Sequence, residues 1–360
     1  MAKVDEIRAE AKRLYEQLPL PESKYTNLKW WRDEDYLVEG ELNVDISGPE
    51  GIKWEFLESA NIGDLVPINA NKFVALHYAN IDRVLRVEFP ENFKTETPLY
   101  IRVNVKGRGH LHVLVEGNKN SKGEIVLFSS GKGLYTEVIE TYVQEEADIK
   151  IGALESLDKD SVVFSSRAVK TLKYSKSQLV GAWFGGKFVM SKHLIKPLGE
   201  ESQIEDVQVL LGEDSQHFDI STHLDFSAPY TKGESMIRAV LKDTARAVMH
   251  GLIDIEREAK FADAYLSEHA LLLNSGARAD SIPGLEIMAN QVRATHGATV
   301  GPIDPEQMFY LMSRGLDEIE TKKLIVMGFF EPATSRMGIE EVRDVIYNYV
   351  EEVLSEKQPV

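Results

Sequence analysis

Residues 99–106, LYIRVNVK, alternate strictly: Leu99, Ile101, Val103 and Val105 share one face of an extended segment, and Tyr100, Arg102, Asn104 and Lys106 share the other. The same alternation returns in runs that begin near Leu111, Ile125, Val138, Ile149, Val162, Val207, Phe218, Ala247 and Leu285. Gly, Asn, Asp, Ser and Lys separate the runs, and from about Lys72 to Ala294 period two replaces helical spacing. Short strands at this spacing without intervening helices specify an all-β sandwich, barrel or solenoid. Steps of roughly 10 to 15 residues would pair into coils of about two steps each, yet no crisp repeat separates a β-helix from a sandwich.

Both flanks change to helical spacing. MAKVDEIRAEAKRLYEQL (1–18) puts Val4, Ile7, Ala11, Leu14, Tyr15 and Leu18 on one stripe, with charges of both signs opposite, which fits docking on its own protein better than on a membrane. Pro19, Pro21, Trp30 and Trp31 then predict an irregular crossing segment. At the other end runs HGATVGPIDPEQMFYLMSRGLDEIETKKLIVMGFF (296–330). There Asp304 is placed to cap a helix, Pro305 suits its first position, Gln307 sits where a capping-box partner reaches back, and Gly315 suits a left-handed stop. Asp317 with Glu320 predicts a second helix, whose apolar run Leu324 to Met327 ends at Gly328. The stripe Ile339, Val342, Val345, Ile346, Tyr349, Val350, Val353 and Leu354 predicts a third. The expected division is 1–70 helical and extended, 71–300 β core, and 301–360 a small helical domain.

With 360 residues, 43% of them hydrophobic, the chain can bury a sizeable core. Its 41 basic and 58 acidic residues give a net charge of −17, a field that repels phosphate backbones and argues against nucleic acid as a partner. No apolar run approaches the roughly 18 to 20 residues of a membrane span, and the charged N-terminus is unlike a secretory signal, so no membrane partner and a cytoplasmic location are expected. There is no cysteine, which removes disulfides, thiolate nucleophiles and any self-contained four-thiolate iron–sulfur site. GAWFGGKF (181–188) lacks the Lys-Ser/Thr of a Walker loop, and no Gly-x-Ser-x-Gly elbow occurs, so the chain is not expected to be an enzyme of either kind.

The block His-Gly-Ala-Thr-Val-Gly at 296–301, with Phe-Tyr-Leu-x-x-Arg-Gly at 309–315 and Gly-Phe-Phe at 328–330, resembles the C-terminal signature of the SufB/SufD family of iron–sulfur cluster assembly proteins, and more the SufD branch. KFVALHYAN, ETPLYIRV, STHLDFSAPYTKGES, VMHGLIDIE and HALLLNSGARADSIPGLEI extend the resemblance from about residue 70. It implies a mainly β fold, a right-handed parallel β-helix core flanked by N-terminal and C-terminal helical regions, with the helices capping end coils that a solenoid otherwise leaves exposed. It also implies a non-catalytic component of the SUF machinery that pairs with a SufB-type subunit or with itself and docks a SufC-type ABC ATPase. Where the SufD branch commonly has a cysteine this chain has Ala294, and where SufB usually has a glutamate it has Gly297. No cluster is therefore expected to be held stably by the chain alone, with transient iron or an iron–sulfur cluster possible in a complex.

His296 is the candidate for metal or cluster assembly, because a neutral imidazole ligates iron and Gly297, Ala298 and Gly301 leave room beside it. The competing account is a histidine hydrogen-bonded at the junction of core and helices. Phe309, Tyr310, Arg314, Gly315 and Phe329 are the candidates for contact with the ATPase, against simple packing and capping. On 217–226, HFDISTHLDF, Phe218, Ile220, Thr222, Leu224 and Phe226 would point inward, and His217, Asp219, Ser221, His223 and Asp225 would form an outward polar comb that could bind a divalent metal but is expected to be a solvated outer face. His110 and His112 would share a strand face, which permits metal binding but is expected to be an exposed surface, and His250 and His269 would be satisfied by nearby backbone. Two rival functions are a polysaccharide-acting β-helix enzyme and a purely structural ATPase-binding homodimer.

Overall fold

A computed structural model describes residues 2–36 and 38–355; Met1 and residues 356–360, at the ends of the expected terminal regions, lie outside the description, as does Leu37. The N-terminal part contains β1 (Ala2–Lys3), α1 (Val4–Gln17), α2 (Asp33–Tyr36), β2 (Glu41–Ser47), β3 (Lys53–Phe56), β4 (Ser59–Ala60) and α3 (Lys72–Asn80). The core follows as β5 (Arg83–Phe89), β6 (Leu99–Gly117), β7 (Lys122–Val143), β8 (Asp148–Leu157), β9 (Val162–Thr171), β10 (Lys176–Gly185), β11 (Phe188–Pro197), β12 (Gln203–Gly212), β13 (His217–Phe226), β14 (Lys232–Leu241), β15 (Arg246–Ile255), β16 (Asp263–Leu272), β17 (Arg278–Ile287) and β18 (Arg293–Pro302). The chain closes with α4 (Pro305–Met312), α5 (Glu318–Thr334) and α6 (Glu340–Ser355). Among the described residues no helix is long and apolar enough to cross a membrane.

The strands stack as a parallel β-solenoid of about 8 turns. One sheet runs β7-β9-β11-β13-β15-β17 and the other β7-β8-β10-β12-β14-β16-β18. They meet in β7, whose first part pairs with β8 and second part with β9. Gly131 (φ 109°) and Gly133 (φ 125°) turn β7 from one sheet to the other, and a Cβ at Gly131 would stand 2.0 Å from the Val105 carbonyl oxygen. A second corner repeats down the stack at Asn92, Asn120, Glu146, Tyr174, Glu201, Tyr230 and Phe261, all left-handed with φ between 55° and 62°. At six of these corners the amide bonds to a carbonyl of the next coil, as Asn120 N does to Glu145 O at 3.0 Å. Alternation holds along the coils: Phe218, Ile220, Thr222, Leu224 and Phe226 are all buried in the interior.

The segment before residue 70 is more ordered than its prolines and tryptophans predict. β2 pairs antiparallel with the first part of β6, Glu41 opposite Lys106 and Ser47 opposite Tyr100, and Leu42, Val44 and Ile46 pack on the core. This strand, not a helix, covers the first coil. Lys72–Asn80, read as the start of the β region, is a helix capped by Asn71, whose side chain accepts the amides of Phe73 and Val74. α1 buries Val4, Ile7, Ala11 and Tyr15 as its stripe requires.

The C-terminal helices do not cap the last coil either. They lie along the flank, where Val326, Phe330, Ala333, Ile339, Val342, Ile346 and Val350 meet Val126, Val180, Ala182, Phe184, Val207, Val209 and Val240. Each fully buried Val, Ile or Phe contributes roughly 1.5–3 kcal/mol over leaving it exposed. The predicted capping box of α5 is present, Asp317 and Glu320 each accepting the other's amide. α5 does not stop at Gly328 but continues to Thr334, because Phe330 and Ala333 pack on the flank and offset the cost of about 1 kcal/mol for a mid-helix glycine.

Candidate functional site

The last coil, β17 and β18, ends the stack without a cover. Interior positions that are buried in earlier coils are partly or fully exposed here, and Leu285, Ile287, Met288 and Val300 are exposed. His296 lies in register with Leu266, which faces the interior at 0% exposure. Its side chain therefore continues the interior row at the mouth of the solenoid, exposed to solvent. Two residues beyond Leu266 the carboxylate of Glu268 is buried and accepts the Ser281 hydroxyl from β17. Burial raises the Glu268 pKa to about 7, against the opposing hydrogen bond from Ser281. Gly301 has open space around it, whereas Gly297 faces the Tyr265 hydroxyl. Among the described residues no three His, Asp or Glu side chains converge on a position that would hold a metal ion. His296 thus brings one imidazole to the mouth and no convergent ligand set.

The second surface is the hairpin of α4 and the start of α5. Asp304 caps α4 through the Glu306 amide at 2.9 Å, not in the reciprocal pair with Gln307 that the spacing predicts. Gly315 has φ 101° and makes the left-handed turn into α5. α4 has no buried residue: Phe309 is 75% exposed, and Tyr310, Met312, Ile319 and Leu324 are exposed beside it. Arg314 stacks on the Tyr310 ring at 5.1 Å and donates to its hydroxyl at 3.3 Å. Phe329 belongs elsewhere: half-buried, it lies under the Arg238 guanidinium at 5.0 Å on the solenoid flank.

The remaining histidines differ from their sequence reading. His110 and His112 are not on an exposed face but wholly buried under α3, with His77, a residue that alternation had no means to single out. The polar comb of β13 is not simply solvated, because the extended segment after α1 lies on it: Thr26 donates to Asp219 and lies 3.3 Å from His217 Nε2. His250 faces Asp219 at 3.9 Å and the edge of Tyr25, and His269 Nδ1 meets Thr299 Oγ1 at 2.5 Å, so side chains rather than backbone are their neighbours. The interior also carries polar groups that went unread. Arg167 bridges Glu137 and Glu155, each at 2.6 Å, and His193 Nδ1 meets Asp206 at 2.7 Å. Arg167 and His193 both fall on inward positions of period two, the one sequence signal that marks them.

Residues 102–329 match the family model described as SUF system FeS cluster assembly, SufBD core domain. An iron–sulfur cluster assembly SufBD family protein of Staphylococcus saprophyticus is 27% identical over 358 residues, covering 93% of this chain and 76% of that one. A Staphylococcus aureus protein of the same description is 26% identical over the same shares of the two chains. The matched span runs from the first coil through the exposed hairpin and includes both surfaces described above. The chain belongs to the SufBD family of the SUF system for iron–sulfur cluster assembly.

Proposed function

We propose that this chain is a SufD-like, non-catalytic component of a cytoplasmic iron–sulfur cluster assembly complex. It pairs through its open last coil with a SufB-type subunit or with a second copy of itself, and its α4–α5 hairpin docks a SufC-type ABC ATPase. The observation that carries the reading is the uncovered coil, where unpaired strand edges and exposed Leu285, Ile287, Met288 and Val300 surround His296. Iron or a cluster is substrate at this joint. With no thiolate in the chain, its ligands come from the partner, from His296 and carboxylates, or from added small thiols. Gly297, standing where the SufB branch usually carries a glutamate, supports the SufD-like side, and Ala294, standing where the SufD branch commonly carries a cysteine, removes one ligand from it. Phe309 and Tyr310 on a helix with no buried side, and Arg314 in the turn after it, support the ATPase contact, with Gly315 shaping the turn and Phe329 bracing the hairpin from the flank.

The test is co-purification with a SufC-type ATPase and a SufB-type subunit, comparing wild type with His296→Ala and with the pair Phe309→Ala and Tyr310→Ala. His296→Ala is expected to assemble normally and lose cluster maturation; the aromatic pair is expected to lose the ATPase. The isolated chain is expected to hold no stable [4Fe–4S] cluster after anaerobic reconstitution, and a stoichiometric one would overturn the proposal. Full maturation with His296→Ala would favour a purely structural, ATPase-binding homodimer.

A further inference from the structure

α3 is fastened to the outer faces of β6 and β7 by side chains that solvent does not reach. Thr136 Oγ1 meets His77 Nδ1 at 2.8 Å and His110 Nδ1 at 2.6 Å. His77 Nε2 lies 3.4 Å from His112 Nδ1, and His112 Nε2 lies 3.2 Å from Glu140 Oε2. The Glu140 carboxylate also accepts the backbone amides of Gly63 at 2.8 Å, Leu65 at 2.6 Å and Val66 at 3.0 Å, which ties the segment before α3 to the same group. All five side chains are at most 1% exposed.

The protons of this chain of contacts follow from one end. Glu140 is surrounded by three amide donors and one ring nitrogen, so it is an anion, and His112 Nε2 carries the proton between them. A neutral imidazole has one N–H, so His112 Nδ1 accepts from His77 Nε2–H. His77 Nδ1 then accepts the Thr136 hydroxyl proton, and Thr136 Oγ1 accepts from His110 Nδ1–H. The last nitrogen, His110 Nε2, is left a bare lone pair, and it is the ring nitrogen of the three that has no partner. The contact geometry and the proton count agree without a charged ring.

We propose that His110, Thr136, His77, His112 and Glu140 form a one-way hydrogen-bond relay that latches residues 61–80 onto the solenoid, and that the latch loosens when its histidines take up protons. Burial holds the His77 pKa well below its ordinary value, with the neighbouring rings adding to it, and lowers His110 to about 3, helped by Arg108. Glu140 is lowered instead, because the donors around it outweigh its burial. The surroundings on the His110 side are Arg108, Asp82, which accepts the His110 amide at 2.8 Å, and Arg8 and Arg83 beside Asp82. On the Glu140 side stand Tyr78, Tyr142, Asp64 and Glu116. Among the described residues no carboxylate is paired with the His110 or His77 ring, so a proton there has no counter-charge.

The sign follows from linkage. Docked His77 and His110 have depressed pKa values, so their stabilising effect is present above the free value of about 6.5 and is lost as pH falls below it. Between pH 7.5 and 5.5 opening should rise about tenfold for each ring held neutral, and about a hundredfold for His77 and His110 together. Hydrogen exchange of residues 63–80 in the full chain, corrected for intrinsic rates and referenced to β13, reads this directly. Long-range nitrogen–proton correlation at pH 7.5 should give Nε2–H on His77 and His112 and Nδ1–H on His110. In Glu140→Gln the amide donates where the carboxylate accepted, so the three tautomers should invert and opening should rise already at pH 7.5. Thr136→Val, close in shape, should free the His110 tautomer and leave those of His77 and His112 in place. The opposite tautomer on any of the three rings of the wild type, or equal opening at pH 7.5 and 5.5, would overturn the proposal.

Discussion

On one flank of the solenoid α5 and α6 press Val326, Phe330, Ile339, Val342, Ile346 and Val350 onto a dry valine-rich sheet face. On the other, α3 adds to its own apolar contacts a buried line of three histidines, a threonine and a glutamate. Similar helices on similar sheet faces are thus held by forces with different sensitivities. Apolar burial responds to lost volume and is indifferent to pH, whereas a closed set of hydrogen bonds tolerates no change in its proton count.

Three substitutions sharpen that contrast. The largest effect is expected from Phe330→Ala, which empties a fully buried site on the dry flank and should cost about 3–5 kcal/mol in denaturant unfolding, equally at pH 5.5 and 7.5. A pH-dependent cost there would erase the distinction between the flanks. Next is Glu268→Gln at the mouth. A carboxyl raised to about 7 stabilises the fold least where it must ionise, so its penalty is absent below the free value of about 4.5 and complete above about 7. The glutamine variant should gain up to roughly 3 kcal/mol at pH 8 and little at pH 4, read as a shift in melting temperature. The smallest is Asp317→Ala, which removes one side of a capping box on the exposed hairpin and should cost about 1 kcal/mol while leaving the flank's packing unchanged. A larger loss would mean that the start of α5 is braced by more than its cap.

Much of this architecture was legible because it rests on local patterns. Two-residue alternation at 99–106 and 217–226 identified buried rows, and the helical stripe from Val342 to Val353 identified the face that packs. The coil repeat was not legible, since its left-handed corner is filled by Asn, Asn, Glu, Tyr, Glu, Tyr and Phe: the backbone recurs and the residue type does not. Coil length drifts as well, with stacked residues 28 apart at Ile149 and Ser177 but 30 apart at Leu266 and His296. β2 escaped notice because its partner lies in a strand more distant in sequence than any local signal reaches. His110 and His112 were misread for a different reason: alternation tells which side of a strand a residue faces, not what later covers that side. For the site, the family block pointed to His296 and the hairpin, and the fold added that His296 stands in the interior row above Leu266, with Glu268 two residues farther along that lower strand.

The antiparallel strand that covers the first coil has a last consequence. Stacked coils have the geometry of a fibre, each end a template for the next. Here one end runs against the grain and presents Glu41 and Asp45, while the other stays bare. Two such molecules joined mouth to mouth, as proposed above, would turn their blunted ends outward, and growth would halt at a pair. Polarity in the stack would make that assembly finite.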